Sequence, residues 1–348
     1  MAETIFLLSL IIGYTILFKW SFTHLPEEKW QILATLPYKK TEHGEWIGIN
    51  FTYYGLFTAI SYVISIFMFM FLLASIGIKP TNSFFLILIM LVICIPSSRL
   101  IAYLVEGKRY NFTVGGASFI GIILAPILLY VLNKIDLPLF KFPFLETLAA
   151  MAIAYAFGEG TGRLACISFG CCYGKPISEI DGIVKKFFEK WHFVFTGKTK
   201  KAVYAGGLEN VKLIPIQAIT SILNISIAII ATILFLYSYF VASILFVILF
   251  TQLWRFISEF LRSDYRGSGN ISIYQKMSLI SIFYLFIVVL FNSTHSFIKP
   301  DFMTGFEFML SPENIIFLEI IGIIIFIYTA KSSVTGSIIR FYVIQENI

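Results

Sequence analysis

Charge is scarce in this chain of 348 residues: Asp, Glu, Lys and Arg together supply 13% of it, about half the share of an ordinary soluble domain. With 58% hydrophobic residues, too little polar surface exists to clothe a water-soluble fold, and a disordered chain is excluded by the same excess. Histidine is scarce as well. His24, His43, His192 and His295 all fall in polar connections, so none stands inside an apolar run as a general base. Cysteine is limited to Cys94, Cys166, Cys171 and Cys172, each within or at the end of an apolar run, which excludes the disulfide framework of a small secreted protein. A net charge of +6 suits anionic lipid headgroups but is too modest for nucleic acid, and no nucleic-acid partner is expected.

Long apolar runs are abundant. A window of about nineteen residues finds them near 3–23, 51–77, 83–105, 113–133, 145–168, 215–237, 239–261, 274–292 and 314–330. The expected fold class is an all-α membrane protein, a polytopic bundle of about nine transmembrane helices. The first run lacks a preceding basic residue, contains Lys19 and is followed by Ser21-Phe-Thr-His24, so it reads as a retained helix and not as a cleaved leader. Two polar segments, 24–50 and 173–213, are the expected extramembrane parts. The second includes an amphipathic stretch, Ile183 to Phe193, that suits either the headgroup region or a solvated loop. Lys and Arg concentrate in the loops after alternate runs, which by the positive-inside tendency turns that face to the cytoplasm.

Five basic residues remain within the runs. Lys19 and Lys276 lie near enough to an end to snorkel. Arg99, Arg163 and Arg255 lie deeper, near the C-terminal ends of the third, fifth and seventh runs. These three runs cross in the same direction, so the arginines gather towards one leaflet. Glu159 precedes Arg163 by four residues and Glu259 follows Arg255 by four, with Arg262 just beyond; that spacing puts each pair on one helical face. Either the pairs are internal salt bridges between helices, or planar guanidiniums held by carboxylates form a site for a phosphate at headgroup depth. Polar and glycine punctuation falls on the same side: Tyr53-Tyr54-Gly55, Gly115-Gly116-Ala-Ser118, Pro215-Ile-Gln217 and Ser272-Ile-Tyr274-Gln275. The densest local signal is Gly162-Arg163-Leu-Ala-Cys166-Ile-Ser-Phe-Gly170-Cys171-Cys172. Its three thiols could bind a metal, act as a nucleophile or form a disulfide; zinc would want a fourth ligand that the neighbouring sequence lacks, adjacent cysteines rarely hold one ion, and compact packing beside glycine is the simpler reading.

Tyr53-Tyr54-Gly55-Leu56, Ser98-Arg99-Leu-Ile-Ala-Tyr103, Val114-Gly115-Gly116-Ala-Ser118-Phe119, Gly162-Arg163-Leu, Pro215-Ile-Gln217, Arg255-Phe-Ile-Ser-Glu259-Phe-Leu-Arg262 and Ile271-Ser-Ile-Tyr-Gln275 resemble, in order and spacing, the motifs of the prolipoprotein diacylglyceryl transferase family. The resemblance covers seven runs and leaves the first and ninth as additions, dividing the chain into 1–50, a transferase-like core over 51–293 with a polar insertion at 173–213, and 294–348. It implies a bacterial inner-membrane enzyme that moves the diacylglyceryl group of phosphatidylglycerol to the lipobox cysteine of a prolipoprotein, forming a thioether and releasing glycerol phosphate. The expected partners are that lipid, or a similar anionic phospholipid, and the prolipoprotein signal peptide; no cofactor or metal is expected. By motif position Arg163, Arg255 and Glu259 carry the catalytic work, Glu259 supporting Arg255, while Tyr54, Arg99, Gly115, Gly116, Ser118, Gln217 and Arg262 bind substrate. The chain departs from the family where its pattern has a proton-accepting histidine: here stands Ile120. It departs again at Cys166 and Cys171, where the pattern has Asn and Glu. The resemblance also turns the arginine face away from the cytoplasm, against the charge of the loops. Two other functions fit these departures: a related phospholipid-using transferase with another acceptor, working through Cys171 or Cys172, and a non-catalytic binder of phospholipid or signal peptide.

Overall fold

Within a bilayer no water satisfies backbone N–H and C=O groups, so an apolar run must close its hydrogen bonds on itself as a helix. The computed structural model describes residues 1–107, 114–135, 137–264, 271–292 and 298–348. In chain order its elements are α1 Ala2–His24, β1 Ile32–Lys40, β2 Trp46–Thr52, α2 Tyr53–Ser75, α3 Pro80–Glu106, α4 Val114–Lys134, α5 Phe144–Phe169, α6 Gly182–Lys190, β3 Phe193–Val194, α7 Lys201–Tyr204, β4 Lys212–Leu213, α8 Ile216–Leu236, α9 Phe240–Ser258, α10 Ile273–Asn292, α11 Phe302–Met309, α12 Pro312–Ala330 and β5 Lys331–Ile339. Every expected apolar run is a helix. Eight of them, α1 to α4, α8 to α10 and α12, are long and apolar enough to cross a membrane, and the protein is an α-helical polytopic membrane protein.

The ninth long helix, α5, falls outside that set because Glu146, Glu159 and Arg163 dilute its apolar character. It tolerates them by lying at the centre, sheathed by α2, α8 and α9. Glycines set how closely those neighbours approach. A Cβ on Gly158 would lie 3.1 Å from Ser65 of α2, one on Gly162 3.4 Å from Ser61, and one on Gly160 2.8 Å from Ile225 of α8. Gly158 and Gly162, one turn apart, therefore face α2 while Gly160 faces α8, the small-residue spacing by which membrane helices meet. Ser65 Oγ donates to Ala154 O (2.8 Å) and Ser221 Oγ to Gly160 O (2.8 Å). These contacts fix the rotation of α5 about its axis and so the direction of Glu159 and Arg163.

The polar segments carry structure that hydropathy does not reveal. Residues 32–52 form the antiparallel hairpin β1–β2, and β5 adds to β2 to give a sheet ordered β1-β2-β5. Asn50 fastens it, accepting from Thr35 Oγ1 (2.8 Å) and Ser337 Oγ (2.6 Å) and donating to Thr335 Oγ1 (3.2 Å). The two expected additions, 1–50 and 294–348, thus meet in one sheet, while α12 packs along α2. In the second polar segment the amphipathic helix α6 ends at Lys190, and Gly174 and Pro176 bridge to Arg262 and Leu213.

Candidate functional site

Glu159 is the hub. Arg163, one turn along α5, donates through Nη2 to Glu159 Oε1 at 2.5 Å, and Arg255 of α9 donates through Nη2 to Oε1 and Oε2 at 2.6 and 2.7 Å. Tyr155 OH also donates to Oε2, and itself accepts from Arg255 Nη2 and Gln252 Nε2, both at 3.2 Å. Two guanidiniums share one carboxylate, so a positive charge remains at the hub. The i,i+4 expectation holds for Glu159 with Arg163 but not for Arg255, whose carboxylate is Glu159 across the helix interface and not Glu259. Glu259 lies in the turn of 3-10 helix that ends α9, which breaks the α-helical spacing that the expectation assumed. Ser272 Oγ donates to it at 3.3 Å, and Arg262 Nη1 lies 3.9 Å away.

Glu159, Arg163, Thr220, Asn224, Thr251, Trp254, Arg255, Ser258, Glu259 and Arg262 line a narrow cleft whose accessible volume is about 10 Å³. Arg163 Nε, Arg255 Nε and Asn224 Oδ1 are buried there without a hydrogen-bond partner among the described residues. Buried donors without partners are costly, and two on guanidiniums at one cleft suit an anionic ligand. Arg262 is held flat by a bidentate pair with Asp264, both bonds 2.8 Å.

The remaining expected residues separate into those at this end of the bundle and one apart. Gly115 lies against the hub: a Cβ there would come within 2.8 Å of Arg255 Nη1 and 3.0 Å of the Tyr274 ring. Ser118 Oγ turns back to Gly115 O (3.1 Å), and Gly116 is buried beside it in the first turn of α4. Gln217 donates to Cys171 O (2.7 Å) while its Oε1 is buried without a partner among the described residues. Tyr54 stacks edge-on against Phe169, ring centres 5.7 Å apart, and lies within electrostatic reach of Cys166, Cys171 and Cys172. Arg99 is the exception. It is exposed on α3, bonded to Tyr328 OH of α12 with its guanidinium 5.3 Å from that ring. The third arginine of the cleft is Arg262 instead, because α3 lies outside the α2–α5–α8–α9 centre.

Tyr155, Gln252, Asn224, Thr220 and Trp254 were not among the expected site residues. Tyr155 precedes Glu159 by four residues and Gln252 precedes Arg255 by three, so helical spacing from the charges would have found both. Trp254, which donates to Thr220 Oγ1 at 2.9 Å, carried no such signal. His24, His43 and His192 do not line the cleft, and His295 lies outside the described residues. The three thiols, expected to be packing, are drawn together at the end of α5: the sulfurs of Cys166, Cys171 and Cys172 all lie within 4.8 Å of one another.

This geometry occupies the stretch that a family model recognises. Residues 45–291 match prolipoprotein diacylglyceryl transferase. The chain belongs to that family. No curated protein matches it. Membership assigns a transferase of the prolipoprotein diacylglyceryl type, with lipid and prolipoprotein as its classes of substrate, embedded in a membrane.

Proposed function

We propose that the protein transfers the diacylglyceryl group of phosphatidylglycerol to the lipobox cysteine of a prolipoprotein in the bacterial inner membrane, the headgroup phosphate lying between Arg163 and Arg255. The observation that carries this reading is the pair of guanidiniums sharing Glu159, with a buried Nε on each left for an acceptor. A phosphodiester offers oxygens for both forks, and charge grows on those oxygens as the glyceryl carbon leaves them, so fixed guanidiniums hold the transition state more tightly than the lipid. Glu159 is the positioning residue for both. Arg262, anchored by Asp264, lines the same cleft and would offer a third guanidinium to the departing glycerol phosphate.

The test is purified protein in nanodiscs of phosphatidylglycerol with a lipobox peptide. Expected are a peptide mass increased by one diacylglyceryl group and release of glycerol phosphate. No adduct from protein that demonstrably retains the lipid would overturn transfer. That outcome would favour the second reading, a phospholipid- or signal-peptide-binding protein without turnover, for which the observation is Ile120 at the family's histidine position.

A further inference from the structure

The transferase reading leaves the acceptor thiol without a base, and the same end of α5 holds three sulfurs that it does not use. Their convergence follows from the backbone. Helix α5 ends in a Schellman motif: Cys171 N–H bonds to Cys166 O (3.0 Å), Gly170 N–H to Ile167 O (3.1 Å), and Gly170 takes the left-handed conformation at φ +72°. That motif brings the side chains of its third-last and second-following positions into contact, and here they are Cys166 and Cys171. Cys172 then adopts φ +56°, a conformation that a residue with a Cβ takes only where its surroundings hold it. This left-handed step lets the neighbour of Cys171 also turn its sulfur inward, so the usual objection to adjacent cysteines as ligands of one ion does not apply. Sulfurs sharing a tetrahedral zinc at about 2.3 Å stand about 3.8 Å apart, against a spread within 4.8 Å. Closing the set needs side-chain adjustment only.

We propose that Cys166, Cys171 and Cys172 form a three-thiolate zinc site whose fourth position takes the lipobox cysteine of the acceptor. Among the described residues no fourth histidine, cysteine or carboxylate joins the set, and three protein ligands with one position for substrate is the pattern of catalytic zinc. Cys171 and Cys172 are half-buried and Cys166 buried, so the ion would be held from below and approached from the loop side. Arg163, Arg262 and Lys201 lie within electrostatic reach of the sulfurs and offset the negative charge of a four-thiolate zinc complex. Cys166 follows Arg163 by three residues, about 4.5 Å along the helix axis between backbone positions, which puts the thiols and the guanidinium that receives the phosphate at the same end of α5.

The step balances without an oxidant or reductant. On coordination the acceptor S–H gives its proton to solvent, since a thiol bound to zinc is deprotonated outright. The sulfur lone pair forms the C–S bond at the glyceryl carbon as the C–O bond to phosphate breaks. The electron pair of that bond leaves on the glycerol phosphate oxygen, held by Arg163 and Arg255, and the thioether product, a poorer ligand than a thiolate, leaves zinc in its original Zn(II) state. Zinc thus supplies what Ile120 cannot, an acceptor held as thiolate without a side-chain base.

The inference rests on the transferase reading, but its principal test does not need turnover. Full-length protein purified without chelator should carry about one zinc per chain. Cys171→Ser and Cys172→Ser, at half-buried positions, should lose most of it while keeping the wild-type elution profile; Cys94→Ser should keep it. Replacement by Co(II) should give thiolate-to-cobalt charge-transfer bands, which should strengthen when a lipobox peptide is added and stay unchanged with its Cys→Ser counterpart. Transfer by the two Ser variants should fall about 10²- to 10⁴-fold, the range of the proton-removal help that is lost. Protein without zinc, Ser variants that keep it, or cobalt bands indifferent to the peptide would overturn the site. Copper in its place would overturn acceptor coordination, because Cu(I) is satisfied by three thiolates. Peptide-sensitive cobalt bands with no diacylglyceryl adduct would uphold the metal site and sink the transferase reading instead.

Discussion

At the scale of single residues, the value of Arg163 lies in its shape. Lysine keeps the charge and can still pair with Glu159, but it has no planar fork to engage two phosphate oxygens. Arg163→Lys is expected to weaken phosphatidylglycerol retention about 10- to 100-fold, the equivalent of one charge-assisted hydrogen bond, with helix content unchanged; lipid quantified by mass spectrometry on the purified variant measures it. Retention equal to wild type would return Arg163 to a purely structural pair. Gly115 makes a second case. An added methyl would press on Arg255 Nη1 from 2.8 Å, and because Glu159 holds that guanidinium, the group shifts relative to the phosphate. Gly115→Ala should lower kcat/KM for transfer by about 10- to 100-fold and, because the methyl also meets the buried Tyr274 ring at 3.0 Å, cost about 1–3 kcal/mol of stability. Gly121→Ala in the same helix, where the nearest atom is Cys94 Sγ at an ordinary 3.5 Å, is the control and should be silent.

At the scale of elements, the segment that carries Arg262 is held by a short connection as well as by helices. Residues 173–176 are stitched between two neighbours: Lys175 N–H bonds to Leu261 O (2.9 Å), Ser263 N–H to Tyr173 O (3.2 Å) and Ile214 N–H to Lys175 O (3.0 Å). This connection holds Arg262 at the cleft. It depends on Gly174, where a Cβ would lie 2.4 Å from Ile214 O, a backbone atom that cannot rotate away. Gly174→Ala should cost about 1–3 kcal/mol, as overpacking does, and should weaken lipid retention with it. Thermal unfolding in nanodiscs alongside the lipid assay checks both; loss of neither would show that the connection adapts without disturbing Arg262. Sequence patterning located this segment as polar but could not reveal its pairing, because a bridge of one or two residues carries no periodicity.

At the scale of the whole molecule, one buried amine joins three parts of the chain. Lys200, in the loop ahead of α7, donates from Nζ to Leu25 O at the end of α1 (2.8 Å) and to Ser168 O in the last turn of α5 (2.6 Å). Burial pushes its amine down to about 7. Below that pH the folded and unfolded chains both carry the proton. From there up to the ordinary lysine range, about 10, the unfolded chain binds a proton that the folded chain does not, so stability rises with pH across this window. The unfolding midpoint should therefore climb between pH 7 and 9.5, and Lys200→Met should flatten that slope while lowering stability overall by leaving two carbonyls unpaired, about 1–3 kcal/mol each. An equal slope in the variant would assign the pH dependence to other groups. Strand β2, at the start of the family-matched stretch, pairs on one side with β1 and on the other with β5, so a strand from each flanking region is tied to the core there.

The sequence alone determined the helical membrane architecture, since runs of some twenty apolar residues have no other way to satisfy their backbone in lipid. It also put Arg163 and Arg255 at one end of the bundle, where both reach Glu159, because helical rise converts position along a run into position along the bundle axis. Tertiary structure decided the partners. Glu159 takes both arginines because the glycines of α5 bring α2 and α8 close and leave its remaining face to α9; Glu259 loses Arg255 because the helix tightens there, and Arg99 departs because α3 packs outside the centre. Spacing within one helix is local and legible, whereas contact between helices depends on rotation and approach. The addition of β5 to the hairpin was invisible to hydropathy because that ladder joins residues about 290 apart in sequence, such as Trp46 and Ile339. The thiols show both sides: composition and spacing put three cysteines near one helix end, but only the left-handed turn at Gly170 and Cys172, a property of the folded backbone, decided that their sulfurs share one point in space.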